Sequence, residues 1–103
     1  METGFLLVRI QLKYGAAERF TEIMKHLVPI LEKKGWRLHG AYRTVIGRLW
    51  EVWDLWEVPG ASGVRSVLDA ALEDPEFQEW AGYLPDCVED EELRYGVKLP
   101  YSP

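Results

Sequence analysis

The hydrophobic pattern changes its period along the chain, and each change predicts a new element of secondary structure. Residues 5–13 alternate between apolar and mixed positions, which predicts a strand with one fully apolar face. Gly15 breaks this pattern, and over 16–34 the apolar positions recur at helical spacing. Pro29 predicts a kink inside that helix, and Gly35 provides the left-handed residue that commonly ends one.

The middle of the chain predicts a hairpin followed by a helix. Residues 36–46 and 49–58 are rich in β-branched and aromatic side chains and flank Gly47-Arg48, which we interpret as a two-residue turn. Pro59-Gly60 ends the hairpin, and the apolar positions of 64–72 then recur at helical spacing.

The last third predicts a short helix, a connection and a strand. Asp74-Pro75 has the form of an N-cap followed by a proline in the first turn, and 77–84 have an apolar helical face. We interpret the mostly acidic segment 86–92 as a solvated connection and 93–99 as the last strand. The predicted order is therefore β-α-β-β-α-β.

This order predicts an α+β fold of the ferredoxin-like type, with a four-stranded antiparallel sheet and helices on one face only. The other sheet face contains Trp, Tyr and Leu residues and needs a cover. A second copy packed face to face provides one without additional chain, so we expect a homodimer that forms an α/β barrel.

Composition limits the class of protein. A chain of 103 residues has room for one domain, 1–103, and its single cysteine, Cys87, cannot form an internal disulfide. The net charge of −5 argues against nucleic-acid binding, which needs a basic face. The sequence has no apolar run that would span a membrane and no signal-peptide pattern, so we expect a cytoplasmic protein without membrane contact.

The predicted hairpin brings together side chains suited to acid–base chemistry. With a two-residue turn, Asp54 lies opposite Ala41 and diagonal to His39 and Arg43, while His39 lies opposite Trp56. A carboxylate can hold an imidazole in one tautomer, and arginine can stabilise an enolate or a carboxylate. His39, Arg43 and Asp54 are therefore the candidate catalytic residues.

Simpler structural interpretations remain open for each of these residues. Asp54 and Arg43 can form a cross-strand ion pair, and His39 can lie at the barrel rim. Glu51, opposite Thr44, can be a carboxylate bonded to that hydroxyl, a dimer contact or a catalytic group.

Aromatic and cationic residues supply the candidate ligand contacts. Five tryptophans and a 13% aromatic content suggest a dimer core, a ligand pocket or both. Arg9, on the first strand, either pairs with a carboxylate or meets an anionic ligand. The candidate ligand-binding residues are Arg9, Trp50, Trp56 and Trp80. No metal-ligand spacing and no phosphate loop is present in the sequence, so neither a metal nor a cofactor is predicted.

Three segments resemble the NIPSNAP-like family of the dimeric α/β-barrel superfamily. The first is the helix end 29–35, Pro-Ile-Leu-Glu-Lys-Lys-Gly. The second is the hairpin 40–57, which is similar to a family hairpin with a Thr-x-Ile-Gly turn before a Glu-Val-x-x-Leu-Trp strand. The third runs from Asp74-Pro75-Glu76-Phe77-Gln78 to the closing Pro100-Tyr101-Ser102-Pro103. Together they span most of the chain.

The resemblance implies the fold and the dimer, but it implies no particular reaction. Structural relatives include cofactor-independent quinone-forming monooxygenases, polyketide cyclases and haem-degrading enzymes. The family often has Asn where this chain has Trp50, and His where it has Asp54, so the chemistry of a relative does not transfer directly.

Two functions from different classes follow. The first is a small cofactor-independent enzyme that cyclises, isomerises, dehydrates or oxygenates an apolar, aromatic or polyketide-like molecule in a pocket between sheet and helices. The alternative is a non-catalytic dimeric module that binds a small molecule or a protein.

Overall fold

The computed structural model describes residues 3–103, so Met1 and Glu2, where a leader pattern was sought, lie outside the described residues. Each predicted strand and helix is present, although several boundaries differ. In chain order the elements are β1 (Gly4–Leu12), α1 (Ala17–Lys34), β2 (Arg37–Arg43), β3 (Glu51–Val58), α2 (Ala61–Leu72), α3 (Pro75–Ala81), a 3₁₀ turn (Leu84–Asp86) and β4 (Val88–Gly96).

The four strands form one antiparallel sheet in the order β2-β3-β1-β4. This order and the β-α-β-β-α-β sequence of elements define the ferredoxin-like α+β fold, which confirms the prediction. The helices pack on one face of the sheet, which we call the covered face. The other face, which we call the open face, has no helix over it in residues 3–103.

The core lies between the covered face and the helices. Alternate residues of β1 point into it, as the two-residue period predicts, and α1 contributes its predicted apolar stripe. Pro29 lies inside α1, which continues without a break to Lys34, and Gly35 follows at φ 122°. The core residues from these two elements and β3 are Leu6, Val8, Ile10, Leu12, Phe20, Ile23, Leu27, Ile30, Leu31, Trp56 and Val58.

The predicted cap of α3 is confirmed. The Asp74 side chain accepts hydrogen bonds from the backbone N–H groups of Glu76 and Phe77, and Pro75 occupies the first turn. Two donors that a helix start leaves free are thereby satisfied.

Two boundary predictions were wrong. The hairpin does not turn at Gly47-Arg48 alone, because pairing stops at Thr44 and Glu51 and a longer loop joins the strands. The last strand is Val88–Gly96 and not 93–99. The acidic residues can form an edge strand because Asp90 and Glu92 point to the open face, where both pair with Arg9.

A β-bulge at His39 changes the register of β2. Gly40 pairs with Leu55 and Leu38 with Trp56, so His39 is an extra residue that opposes neither. The prediction that His39 lies opposite Trp56 was therefore wrong.

In the described part of the chain, no helix is both long enough and apolar enough to cross a bilayer.

Candidate functional site

A cleft of about 610 Å³ separates α1 from the β2–β3 side of the covered face. Its walls are mainly apolar: Phe20, Met24 and Val28 of α1 face Leu38 and Val52 of the sheet. The volume lies within the range of about 300–1,000 Å³ that is common for small-molecule sites. The cleft exists because α1 crosses the covered face of the sheet without covering its β2 edge completely.

Asp54 lies in the wall of this cleft. It is central on β3, between Ala41 of β2 and Val8 of β1, and only 3% of it is exposed. Within residues 3–103 no group donates a hydrogen bond to its carboxylate and no cation pairs with it. Removal from water therefore raises the pKa of Asp54 to about 6 from its ordinary 3.8, with a smaller contribution from the charge of Glu91.

A smaller cavity of about 140 Å³ continues from Asp54 into the core. Glu91 of β4 lines it from the other side of β1, among apolar side chains that include Trp56 and Leu93. Desolvation there raises the pKa of Glu91 above its ordinary value. The two cavities share Asp54, Phe20 and Met24, so Asp54 stands where the cleft meets the core.

Arg43 lines the same cleft as Asp54. It projects from the end of β2, opposite Val52, and is exposed. In the described residues no ion pair joins Arg43 to Asp54, so the simple cross-strand pair considered for them does not form. The other charged residues of the cleft belong to α1 and are Glu18, Glu22 and Lys25.

His39 lies on the open face, apart from Asp54 and Arg43. The bulge turns its ring toward Phe5, at 5.7 Å between ring centroids and nearly perpendicular. Its Nε2 is 2.8 Å from Glu57 Oε1. The structure therefore brings together two of the three candidate catalytic residues, and the carboxylate beside the imidazole is Glu57 instead of Asp54.

Arg9 is the centre of an ion cluster on the open face. It donates hydrogen bonds to Glu51 at 3.1 Å, Asp90 at 3.0 Å and Glu92 at 3.4 Å. Thr44 Oγ1 also donates to Glu51 at 2.7 Å, as one of the sequence interpretations foresaw. These bonds, Thr44 first, lower the pKa of Glu51, and the cluster raises that of Arg9.

The three candidate tryptophans lie in three places. Trp56 is buried and lines the small cavity, with its ring 5.3 Å from that of Trp36. Trp50, in the hairpin loop, has φ 58° and packs against Tyr14. Trp80 of α3 stacks on His26 at 3.7 Å on the helical surface. Of the three, only Trp56 is near Asp54.

Sequence reasoning missed Glu91 as a site residue, since the segment 86–92 was interpreted as a connection. The alternation of apolar Leu93 and Tyr95 with charged Glu92 and Arg94, continued back by two residues, is the signal that could have placed Glu91 on the covered side. Among residues 3–103 no group of three His, Cys, Asp or Glu side chains is arranged to hold a metal ion.

The geometry defines a class before any comparison: a ferredoxin-like domain with a cleft under its helices and an uncovered sheet face. The chain belongs to the NIPSNAP family, because the sequence model of that family matches residues 5–103. This confirms the resemblance noted in the sequence. The comparison with curated proteins finds no match.

Solved structures share the fold at low sequence identity. A NIPSNAP family protein of unknown function from Agrobacterium tumefaciens superposes with a TM-score of 0.89 at 17% identity, covering 99% of this chain and 93% of that one. An uncharacterised NIPSNAP-like domain protein from Burkholderia xenovorans gives 0.86 at 21%, covering 99% and 90%. A candidate antibiotic biosynthesis monooxygenase from Nitrosomonas europaea gives 0.76 at 10%, covering 99% and 95%. At these identities the likeness is one of fold alone.

Proposed function

We propose that the cleft binds an apolar small molecule, aromatic or polyketide-like, and that Asp54 exchanges a proton with it without a cofactor. The observation that carries this proposal is the state of Asp54: the residue is 3% exposed, its carboxyl has no hydrogen-bond or ion-pair partner within residues 3–103, and it lies at the inner end of a cleft with a pKa of about 6. A general base is most effective when its pKa lies near the working pH. Burial of a carboxyl without a hydrogen-bond partner destabilises the folded chain. A role in function is therefore a better explanation for Asp54 at this position than a role in stability.

The proton transfer is that of a carbon acid. The Asp54 carboxylate takes a proton from a carbon beside a carbonyl, and the electron pair of that C–H bond moves onto the carbonyl oxygen. Arg43, in the same cleft, supplies positive charge for the resulting enolate. The protonated Asp54 then returns the proton to the same or another atom of the ligand.

This one step is common to several reaction classes. Return of the proton to a different carbon is an isomerisation. In a cyclisation the enolate carbon attacks a second carbonyl, whose oxygen takes the proton from Asp54, and in a dehydration a β-hydroxyl leaves as water with that proton. In an oxygenation the enolate carbon adds dioxygen and the peroxide takes the proton from Asp54; where that carbon has a second hydrogen, loss of water from the hydroperoxide breaks the O–O bond and leaves a new carbonyl. The fold likeness to the Nitrosomonas protein is the reason to keep oxygenation among them.

We also propose that a second copy of the chain covers the open face. Support comes from its aromatic content: Tyr42 and Trp53 stack at 4.6 Å between centroids and are 47% and 37% exposed. Phe5, Leu7 and Leu55 extend this surface along the central strands. A chain of this size gains stability from such a partner, because a small domain buries only part of its apolar surface.

Native mass spectrometry tests binding in the cleft. We expect the purified protein to retain a small organic molecule and Ala41→Trp to lose it, because Ala41 lies opposite Asp54 and an indole there fills the cleft. Arg37→Trp, which places the indole at an exposed position on the open face of the same strand and outside the lining of the cleft, is the matched control and should retain the molecule. Equal retention by both variants would place the ligand elsewhere.

Deuterium exchange tests catalysis. The probe is tetralone, an apolar bicyclic ketone whose protons beside the carbonyl exchange slowly with D₂O. We expect the wild-type protein to accelerate this exchange and Asp54→Asn to lose about 10²–10⁴-fold of the acceleration, the usual contribution of a general base. Binding without any acceleration, in both proteins, would favour the non-catalytic binding module.

A further inference from the structure

We propose that Glu91 connects Asp54 to solvent through the small inner cavity and passes on the proton that Asp54 takes from a ligand. The inference rests on the acid–base function proposed for Asp54 and adds a route for its proton. This route is the cavity of about 140 Å³ in the core, which both side chains line. It begins where the cleft ends, because Asp54 lines the cleft as well.

A ligand in the cleft closes the direct path from Asp54 to water. Asp54 is 3% exposed and lies at the inner end of the cleft, so a ligand in contact with its carboxyl stands between that carboxyl and the mouth. Within residues 3–103 no hydrogen-bond or ion-pair partner of Asp54 is available to accept the proton. The proton then either returns to the ligand or leaves through the inner cavity.

Glu91 lies at the other end of this cavity. Asp54 pairs with Val8 of β1. Glu91 pairs with Ile10, two residues further along β1, so both carboxyl groups are on the covered side of the sheet. They differ in exposure, because β3 is an inner strand and β4 is an edge strand, where Glu91 is exposed. Glu91 therefore contacts the cavity and also solvent, and it points away from the face that we propose a second copy covers.

Water is the link between the two carboxyl groups. Strands on either side of a common neighbour lie about 10 Å apart, which is too far for a direct hydrogen bond between short side chains. A water molecule takes up about 30 Å³ in the liquid, so a cavity of about 140 Å³ has room for more than one. Buried water needs polar partners, and Asp54 and Glu91 supply them at the two ends of an otherwise mainly apolar cavity.

The electrostatics of the two carboxyl groups suit proton exchange between them. Desolvation raises the pKa of both groups above the ordinary values, that of Asp54 to about 6. The charge of Glu91 contributes to the raised pKa of Asp54, so the two groups interact across the cavity. Groups whose pKa values approach the working pH take up and release a proton most effectively.

The relay moves protons without forming or breaking a bond to carbon. Protonated Asp54 gives its proton to a water in the cavity, the water passes a proton to the Glu91 carboxylate, and Glu91 releases it to solvent. The reverse transfer brings a solvent proton to Asp54. A ligand that remains bound can therefore receive a hydrogen from solvent in place of the one that it lost.

Isomerisation of an octalone in D₂O tests the relay. This apolar bicyclic ketone has its β,γ double bond at the ring fusion. Asp54 takes a proton from the α carbon, the electron pair forms a dienolate, and return of a proton or deuteron to the γ carbon gives the conjugated ketone. Mass spectrometry then reports the fraction of this product that contains deuterium at the γ carbon.

We expect most of the wild-type product to contain this deuterium. In Glu91→Gln the deuterated fraction should fall about tenfold, because loss of a positioned proton-transfer group slows a transfer by about 10²-fold or more. The original proton then returns to the ligand before it exchanges with solvent. The fraction is counted per molecule of product, so a general loss of activity through misfolding does not produce this result.

The matched control is Glu89→Gln. Glu89 is an exposed carboxylate of the same strand that lines neither cavity, so this variant should give the wild-type fraction. An equal fall in both variants, or no fall in Glu91→Gln, would overturn the relay and leave the function of Asp54 standing. No acceleration of the isomerisation by the wild-type protein would overturn the proposed function and the relay with it.

Discussion

The two faces of the sheet shift the pKa values of their carboxyl groups in opposite directions. On the covered face, burial raises the pKa of Asp54 to about 6. On the open face, hydrogen bonds from Thr44 and Arg9 lower the pKa of Glu51, three residues earlier on the same strand. Strand alternation sends the two side chains to opposite sides, and the surroundings then decide which form of the carboxyl is stable.

This difference separates the carboxyl that we propose is reactive from one that is structural. A carboxylate already satisfied by a hydroxyl and a guanidinium, as Glu51 is, gains nothing from taking a proton. A carboxyl that is buried without such partners is poised to exchange one. The contrast therefore supports our proposal of proton exchange under the helices, and the exposed rings of the open face support our proposal that a second copy covers it.

The largest expected effect comes from placing a charge on the open face. Trp53→Glu should weaken self-association about a thousandfold, because loss of a central aromatic contact at an interface costs about 2 kcal/mol or more and an unpaired carboxylate buried there costs about 2 kcal/mol in addition. Analytical ultracentrifugation over a range of concentrations measures it. Leu72→Glu, at an exposed position of α2, is the control and should leave the assembly intact. Equal behaviour of the two variants would mean that the open face is not the interface.

The next effect concerns stability at the covered face. The pKa of Asp54 is raised from 3.8 to about 6 in the folded chain, so its contribution to stability is fully present below pH 3.8 and is lost as pH rises through about 6. This difference in pKa corresponds to about 3 kcal/mol in the free energy of unfolding, at about 1.4 kcal/mol for each pKa unit. Asp54→Asn should therefore raise the free energy of unfolding at pH 7.5 by up to about 3 kcal/mol.

Urea unfolding at fixed protein concentration checks this at pH 7.5 and at pH 4. The gain from Asp54→Asn should shrink at pH 4, where the wild-type carboxyl is mostly protonated. Glu51→Gln should behave oppositely and destabilise at pH 7.5, because the lowered pKa of Glu51 means stability present at neutral pH and lost on acidification. Parallel responses of the two variants would remove the contrast between the faces.

The smallest effect is expected at the ion cluster of the open face. Arg9→Met keeps the apolar stem but leaves Glu51, Asp90 and Glu92 close together without their shared cation. We expect a modest fall in Tm at low salt that added NaCl reduces, because screening weakens the remaining repulsion. Thermal denaturation at two ionic strengths measures it, and a salt-independent fall would mean that Arg9 acts through packing instead.

The fold follows from the sequence because its signals are local and consistent. The apolar face of β1, the helical stripe of α1, Gly35 and the Asp74-Pro75 cap each predict the element that the structure contains. The acidic run before Leu93 led to a wrong start for β4, because strand propensity does not show that the acidic side chains of an edge strand can pair with Arg9 of the neighbouring strand.

The site was less predictable because it depends on register. The assumed register placed Asp54 and Arg43 on one face correctly, since Ala41, Tyr42 and Arg43 pair as expected. One extra residue in the ladder then moved His39 to the other face, and the isolated Gly40 beside it was the one local sign of a bulge in the strand pattern.

That bulge gives the hairpin an unusual evolutionary freedom. Because Leu38 and Gly40 pair with consecutive residues of β3, a descendant lacking His39 would have an uninterrupted ladder with every other side chain on its present face. Substitution of Gly40 by a larger residue would instead require the half-exposed Tyr42 ring to move, since its phenol occupies the position of a Cβ there. A single codon deletion could thus remove the imidazole from the open face while leaving the Asp54 cleft as it is. The open face could in this way change between lineages independently of the Asp54 cleft.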